Sequence, residues 1–145
     1  MRWMKKLTSI SLCAALITGS AVFASADARD TYVSMGADLT VEQRAKVLEL
    51  MDLTEDDLAD MDVVQITNEK EHEMLGGYLP NSVIGSRALS CVRVDKKKSD
   101  GIQVTTKNIT YCTEGMYQNA LITAGIENAD VIVAGPTNIS GTAGL

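Results

Sequence analysis

The chain has 145 residues, of which 46% are hydrophobic, 22% are charged and only two are proline, a composition typical of one globular domain. It is too short for a two-domain enzyme. The formal net charge is −6 and only 4% of the residues are aromatic, so the chain repels phosphate backbones and offers few rings for stacking on bases, which excludes nucleic acid as an expected partner.

The first 26 residues have the pattern of a secretory signal peptide. Arg2, Lys5 and Lys6 precede an apolar run over residues 7–23, and the run ends in the small-residue triplet ASA at 24–26. Polar residues interrupt this run, whereas a membrane-spanning helix needs about 20 continuous apolar residues. We therefore predict a secreted, extracellular or cell-envelope location and a mature form without a membrane span. The mature chain has ten basic and nineteen acidic side chains, which gives a net charge of −9.

Two helices are predicted near the start of the mature chain, after residues 27–36, which are expected to be mobile. Thr40 with Gln43 and Thr54 with Asp57 both have the spacing of a capping box, in which two residues three positions apart satisfy the free N–H groups at a helix start. Each pair therefore predicts the first turn of a helix.

A strand, a third helix and a β-hairpin are predicted next. The run VVQIT at 63–67 is typical of a short strand, and Asn68, together with Glu71, is expected to cap the helix that follows. Two apolar runs, over residues 88–94 and from Ile102 onward, are separated by the charged, turn-forming residues 95–101. This pattern predicts that the two runs pair as a hairpin.

The last predicted elements are a helix and a strand. Thr113 is expected to cap the helix, and the apolar run VIVA at 131–134 predicts the strand. The order α-α-β-α-β-β-α-β indicates an α/β or α+β fold, with helices packed on a small mixed sheet that includes the hairpin. We predict one domain over residues 27–135, followed by a Gly-rich tail at 136–145 that resembles the start of a missing segment.

Two cysteines remain in the mature chain, because Cys13 lies in the predicted signal peptide. In an exported protein the pair Cys91 and Cys112 suggests a disulfide. The expected hairpin register, however, separates them by about 23 Å, against a limit of about 7 Å between bridged α-carbons. The sequence therefore favours two reduced thiols.

Motifs for catalysis or metal binding are scarce. His72 is the single histidine and lies in a charged helical segment, and the chain has no P-loop, Ser-x-x-Lys or Gly-x-Ser-x-Gly pattern. No cofactor is indicated. The acidic stretch 52–60 resembles a calcium loop, but it lacks the glycine and the final glutamate of an EF-hand, so helix capping explains it better. Its candidate calcium ligands are Asp52, Asp56, Asp57 and Asp60.

Cys112 is the candidate for covalent chemistry. It lies just before the predicted helix at Thr113, where the positive end of the helix dipole is expected to lower the pKa of a thiol. A thiolate at this position could act as a nucleophile, form a mixed disulfide, or form an internal thioester with Gln118. A small packing residue at the helix entrance is the competing interpretation.

Five segments of the mature chain resemble the YpuA-like family of exported Gram-positive proteins, which is catalogued as a domain of unknown function. The segments are 32–40 (YVSMGADLT), 64–69 (VQITNE), 84–90 (IGSRALS), 111–121 (YCTEGMYQNAL) and 133–136 (VAGP). The resemblance implies export and a longer family chain with a helix-rich second half, and it implies no enzymatic activity or catalytic residue.

The leading hypothesis is an exported, non-enzymatic interaction module that contacts a protein or a polymer of the cell envelope. It rests on the signal-peptide pattern, the missing catalytic motifs and the family resemblance. The alternative is a thiol-dependent enzyme, or a protein that attaches covalently to the cell surface, through Cys112. These two hypotheses differ in whether Cys112 is accessible and reactive.

Overall fold

Residues 30–145, which are the residues that the computed structural model describes, contain five strands and five α-helices interspersed along the chain. Residues 31–145 form one folded unit. In chain order the elements are β1 (Thr31–Gly36), α1 (Val41–Leu50), α2 (Glu55–Ala59), β2 (Val63–Ile66), α3 (Asn68–Leu75), α4 (Asn81–Ile84), β3 (Cys91–Lys96), β4 (Ile102–Ile109), α5 (Glu114–Thr123), β5 (Ala129–Ile139) and a final 3₁₀ turn (Thr142–Gly144).

The mixed α+β fold and the order of the eight predicted elements are confirmed. The structure adds the short helix α4, and it places β1 where a mobile start was expected. The alternation of side-chain directions along a strand explains why these residues form β1, because Val33 and Met35 point to the same face of the sheet and are both buried. The predicted signal peptide, residues 1–26 with Cys13, lies outside the described residues. Within residues 30–145, no helix is both long and apolar enough to span a membrane.

The five strands form one mixed sheet in the order β2-β1-β3-β5-β4. The predicted hairpin between β3 and β4 is wrong, because β5 lies between them, antiparallel to β3 and parallel to β4. The β3–β4 loop crosses the end of β5 and is held there by Asn128, which bonds the backbone of Lys97 and Gly101. The apolar centre of β5 is mostly buried. With β3 on one edge and β4 on the other, β5 is covered on both edges, whereas a β3–β4 hairpin would leave one of its edges open.

Two apolar clusters cover opposite faces of the sheet. Cys91 belongs to the cluster under α1 and α2, whereas the next residue, Val92, belongs to the cluster under α5. Consecutive strand residues point to opposite faces. Cys112 packs in the second cluster, so the two cysteines are buried on different faces, and both are free thiols. Reduced cysteines were expected, although the hairpin register used to derive them does not exist.

The helix starts follow the predicted capping rules. Both capping boxes are present, Thr40 with Gln43 and Thr54 with Asp57. The cap of α3 is Thr67, whose hydroxyl accepts from the backbone of Lys70, and not Asn68 as expected.

Residues 136–145, assigned from the sequence to a Gly-rich tail, continue the fold. β5 extends to Ile139, and the 3₁₀ turn buries Thr142 and Ala143. We call residues 140–145 the C-terminal strap. The hydroxyl of Tyr117 donates to the carbonyl of Gly141 at 2.6 Å, and the backbone N–H of Gly144 donates to Oγ of Ser90 at 2.8 Å. The strap is thereby tied to α5 and to the start of β3.

Candidate functional site

A polar cleft lies between the C-terminal strap and the connection from α4 to β3, residues 85–90. Its volume is about 500 Å³, within the range of about 300–1,000 Å³ that is usual for small-ligand sites. Residues 110 and 111 after β4 and residues 138 and 139 of β5 complete its walls. Most of the polar lining groups are hydroxyls, with one amide, Asn138, one carboxyl and one guanidinium.

The carboxyl is that of Glu71, which lies on α3 and is only 3% exposed. The hydroxyl of Thr142 donates to its Oε1 at 2.7 Å, and the amide of Asn68 donates to its Oε2 at 3.1 Å. Burial raises the pKa of Glu71, and these two hydrogen bonds oppose that rise. Glu71 therefore joins α3 to the strap, and it does so through neutral hydrogen-bond donors.

The other wall of the cleft is held by contacts to Gly85. Its carbonyl accepts from Nε2 of His72 at 2.8 Å and from the amide of Asn68 at 3.1 Å. Gly85 has φ +77°, a backbone conformation that suits glycine. The same amide of Asn68 contacts both Glu71 and Gly85, so it sets the position of the carboxyl relative to the connection.

The guanidinium is that of Arg87, at the exposed rim. Its Nη2 lies 3.4 Å from Oε1 of Gln43 and 3.5 Å from the carbonyl oxygen of Asp38. Both distances are long for hydrogen bonds, so these contacts hold the group loosely. Tyr111, which is 44% exposed, provides an aromatic ring to the lining.

Cys112 lies just before α5 as predicted, and its thiol is buried there. The residue is 4% exposed, and burial raises the pKa of its thiol, whereas the helix terminus was expected to lower it. Gln118 donates to the carbonyl of Ile102 at 3.2 Å, on β4. The arrangement matches the packing interpretation of Cys112.

The four candidate calcium ligands are not brought together. Oδ2 of Asp57 accepts from the backbone and the hydroxyl of Thr54, and these bonds lower the pKa of Asp57. Asp52, Asp56 and Asp60 are exposed. Among residues 30–145, no group of three or more His, Cys, Asp or Glu side chains is arranged to hold a metal ion.

Sequence reasoning missed the two charged groups of the cleft. It treated Glu71 as part of a helix cap, but Glu71 and Leu75 are four residues apart and lie on the same side of α3. A carboxyl on the inward side of a helix, between the exposed Glu69 and Glu73, was the available signal. No local pattern marks Arg87, because its place at the rim depends on how the connection folds back.

The fold and the cleft together define a small α+β domain with a polar cleft at the end of its sheet. The chain belongs to the family described as "Protein of unknown function (DUF1002)", whose model matches residues 35–145. It is 41% identical over 146 residues to "Uncharacterized protein YpuA" of Bacillus subtilis (strain 168), covering 98% of this chain. It spans about half of that relative, 49% of its length. These matches confirm the resemblance to the YpuA-like family. No solved structure matches the chain.

Proposed function

We propose that this protein is an exported module of the cell envelope that binds its partner noncovalently in the polar cleft. The observation that carries the proposal is the cleft itself, which places a buried carboxyl and an exposed guanidinium in one polar cavity of ligand size. The signal-peptide pattern of residues 1–26 supports export.

The buried thiol supports binding rather than thiol chemistry. A thiol nucleophile reacts as its thiolate and needs access to the substrate. Cys112 is buried and its pKa is raised. His72, the chain's single imidazole, donates its Nε2 proton to the carbonyl of Gly85. These contacts favour a packing role for Cys112 and a positioning role for His72.

Export is tested by the intact mass of the protein recovered from the medium or the envelope of a Gram-positive host. A mass that corresponds to a chain beginning at Asp27 supports the proposal. A cell-associated protein that retains residues 1–26 contradicts it.

Binding through the cleft is tested by co-sedimentation of the secreted protein with purified Gram-positive cell-wall sacculi. Ser86→Trp places a bulky ring at an exposed position of the cleft wall, and Ser99→Trp places the same ring on the exposed β3–β4 loop. We expect the first variant to lose at least tenfold in bound fraction and the second to bind like the parent. Equal binding by the two variants would overturn the proposal.

A further inference from the structure

The two charges of the cleft are not paired with each other. Glu71 is hydrogen-bonded to Thr142 and Asn68, and Arg87 has only the long contacts to Gln43 and Asp38. All four of these contacts are made by uncharged groups, and the group that Asp38 contributes is its backbone carbonyl. The cleft therefore contains one negative and one positive group whose charges no ion pair shown by the described residues neutralises.

The negative charge of the buried Glu71 carboxylate is compensated only in part, because its hydrogen-bond donors are neutral. Removing an ionised carboxyl from water is costly unless an opposite charge compensates it. Among residues 30–145, Glu71 is the charged side chain that is buried, and each of its oxygens can accept a further hydrogen bond. A ligand ammonium group would supply both the missing charge and the donors.

Arg87 has the complementary capacity. A guanidinium presents a planar set of donors that matches a carboxylate with two parallel hydrogen bonds. Its exposure and its long contacts leave that set available to a ligand at the rim.

The surface between the two charges is suited to peptide groups. The hydroxyls of Ser86 and Ser140 and the amide of Asn138 can donate to and accept from a ligand backbone. Tyr111 is the aromatic side chain in the lining, so a sugar ring would find a single stacking surface there.

We propose that the cleft binds a short peptide with free termini, whose ammonium group contacts Glu71 and whose carboxylate contacts Arg87. This inference rests on the proposed function, because it names the class of ligand that the same cleft takes. The volume of about 500 Å³ accommodates a ligand of this size.

Three dipeptide probes test the proposal by NMR titration of the folded protein, followed at the backbone amides of Gly85 and Ser140. Alanyl-alanine has both charges, N-acetyl-alanyl-alanine lacks the ammonium, and alanyl-alanine amide lacks the carboxylate. We expect alanyl-alanine to shift the cleft amides saturably, and each blocked form to bind at least tenfold more weakly, about 1.4 kcal/mol. Equal binding of the three probes, or no shift with alanyl-alanine, would overturn the proposal.

Matched variants test whether Glu71 contacts the ammonium group of the dipeptide and Arg87 its carboxylate. Glu71→Gln is compared with Glu73→Gln, an exposed position on the same helix, and Arg87→Gln with the exposed Lys98→Gln. Glu71→Gln is expected to bind alanyl-alanine no better than the N-acetyl form, while retaining the preference over the amide form. Arg87→Gln should show the reverse pattern. A merely structural role would lower all three affinities together, and that result contradicts the assignment.

The failure of this inference is distinguishable from failure of the proposed function. If the dipeptides leave the cleft amides unshifted while Ser86→Trp still abolishes binding to sacculi, the peptide proposal is wrong and cleft binding stands. If an amino-sugar disaccharide shifts Gly85 and Ser140 and alanyl-alanine does not, the ligand is a saccharide, and the peptide proposal is again overturned.

Discussion

The bond between Tyr117 and the C-terminal strap can be tested by removing one hydroxyl group. Tyr117 is 3% exposed, and its hydroxyl donates to the carbonyl of Gly141 at 2.6 Å. Gly141 has φ +93°, and a Cβ at this position would collide with the Tyr117 hydroxyl. The substitution Tyr117→Phe therefore keeps the buried ring and removes the contact that holds the strap against α5.

The loss of stability in Tyr117→Phe depends on which hydrogen bonds the carbonyl of Gly141 retains. A buried acceptor left without any partner costs about 1–3 kcal/mol. The carbonyl of Gly141 still accepts from the N–H of Gly144 at 3.2 Å, so we expect a loss in the lower half of that range, about 1–2 kcal/mol. With a urea m-value of about 2 kcal/mol/M, the unfolding midpoint falls by roughly 0.5–1 M.

Urea unfolding followed by circular dichroism measures this loss. Tyr111→Phe is the matched control, because Tyr111 is 44% exposed, and its free energy of unfolding should stay within about 0.5 kcal/mol of the parent value. Amide exchange at Cys112, whose N–H donates to the carbonyl of Ser140 at 2.9 Å, should quicken in Tyr117→Phe alone. Coincident midpoints for parent and Tyr117→Phe would refute the reasoning.

Three further substitutions or reactions probe other contacts. Gly36→Ala should lower stability by about 2–3 kcal/mol, seen as a lower Tm, because the added Cβ meets the backbone carbonyl of Ala88; an unchanged Tm would contradict this close approach. Lys107→Met should lower the free energy of unfolding in urea by about 1–2 kcal/mol. The reason is that Nζ of Lys107 donates to the carbonyl of Leu50, at the end of α1, at 2.6 Å. An unfolding midpoint equal to that of the parent would show that this bond does not stabilise the fold. Iodoacetamide should label Cys112 slowly in the folded protein at neutral pH, faster as the pH rises, and rapidly in urea, because burial raises the pKa of the thiol. Rapid labelling of the folded protein at neutral pH would contradict this expectation and favour the nucleophile hypothesis.

The helix starts could be predicted because capping is local. In both predicted boxes, Thr40 with Gln43 and Thr54 with Asp57, the partners are three residues apart, so the sequence contains the whole interaction. The α3 cap was misplaced by one residue, since Thr67 and Asn68 are both good caps and the choice depends on what else Asn68 contacts. Its amide is used at the cleft.

The hairpin could not be excluded from the sequence because strand pairing is not local. The β3–β4 segment has the charged loop and the alternating apolar runs of a hairpin. What separates the two strands is β5, which begins at Ala129 and enters between them. The pKa of Cys112 was mispredicted for the same reason, because it depends on contacts that are distant in the sequence. The nearby helix terminus predicts a lowered pKa, whereas burial of the thiol by the surrounding packing raises it.

The amino-acid sequence by itself determined the helix starts, the order of the predicted elements and the mixed α+β class, because these depend on residue spacings of two to four positions. Only the tertiary structure decided the strand order, the burial of Glu71 and the cleft. Glu71 and Thr142 are 71 positions apart and meet at 2.7 Å. Such a contact forms only after the sheet has brought α3 and the strap to the same end of the domain. The place of Glu71 on the inward side of α3 can be read locally, but no local pattern identifies Thr142 as its partner.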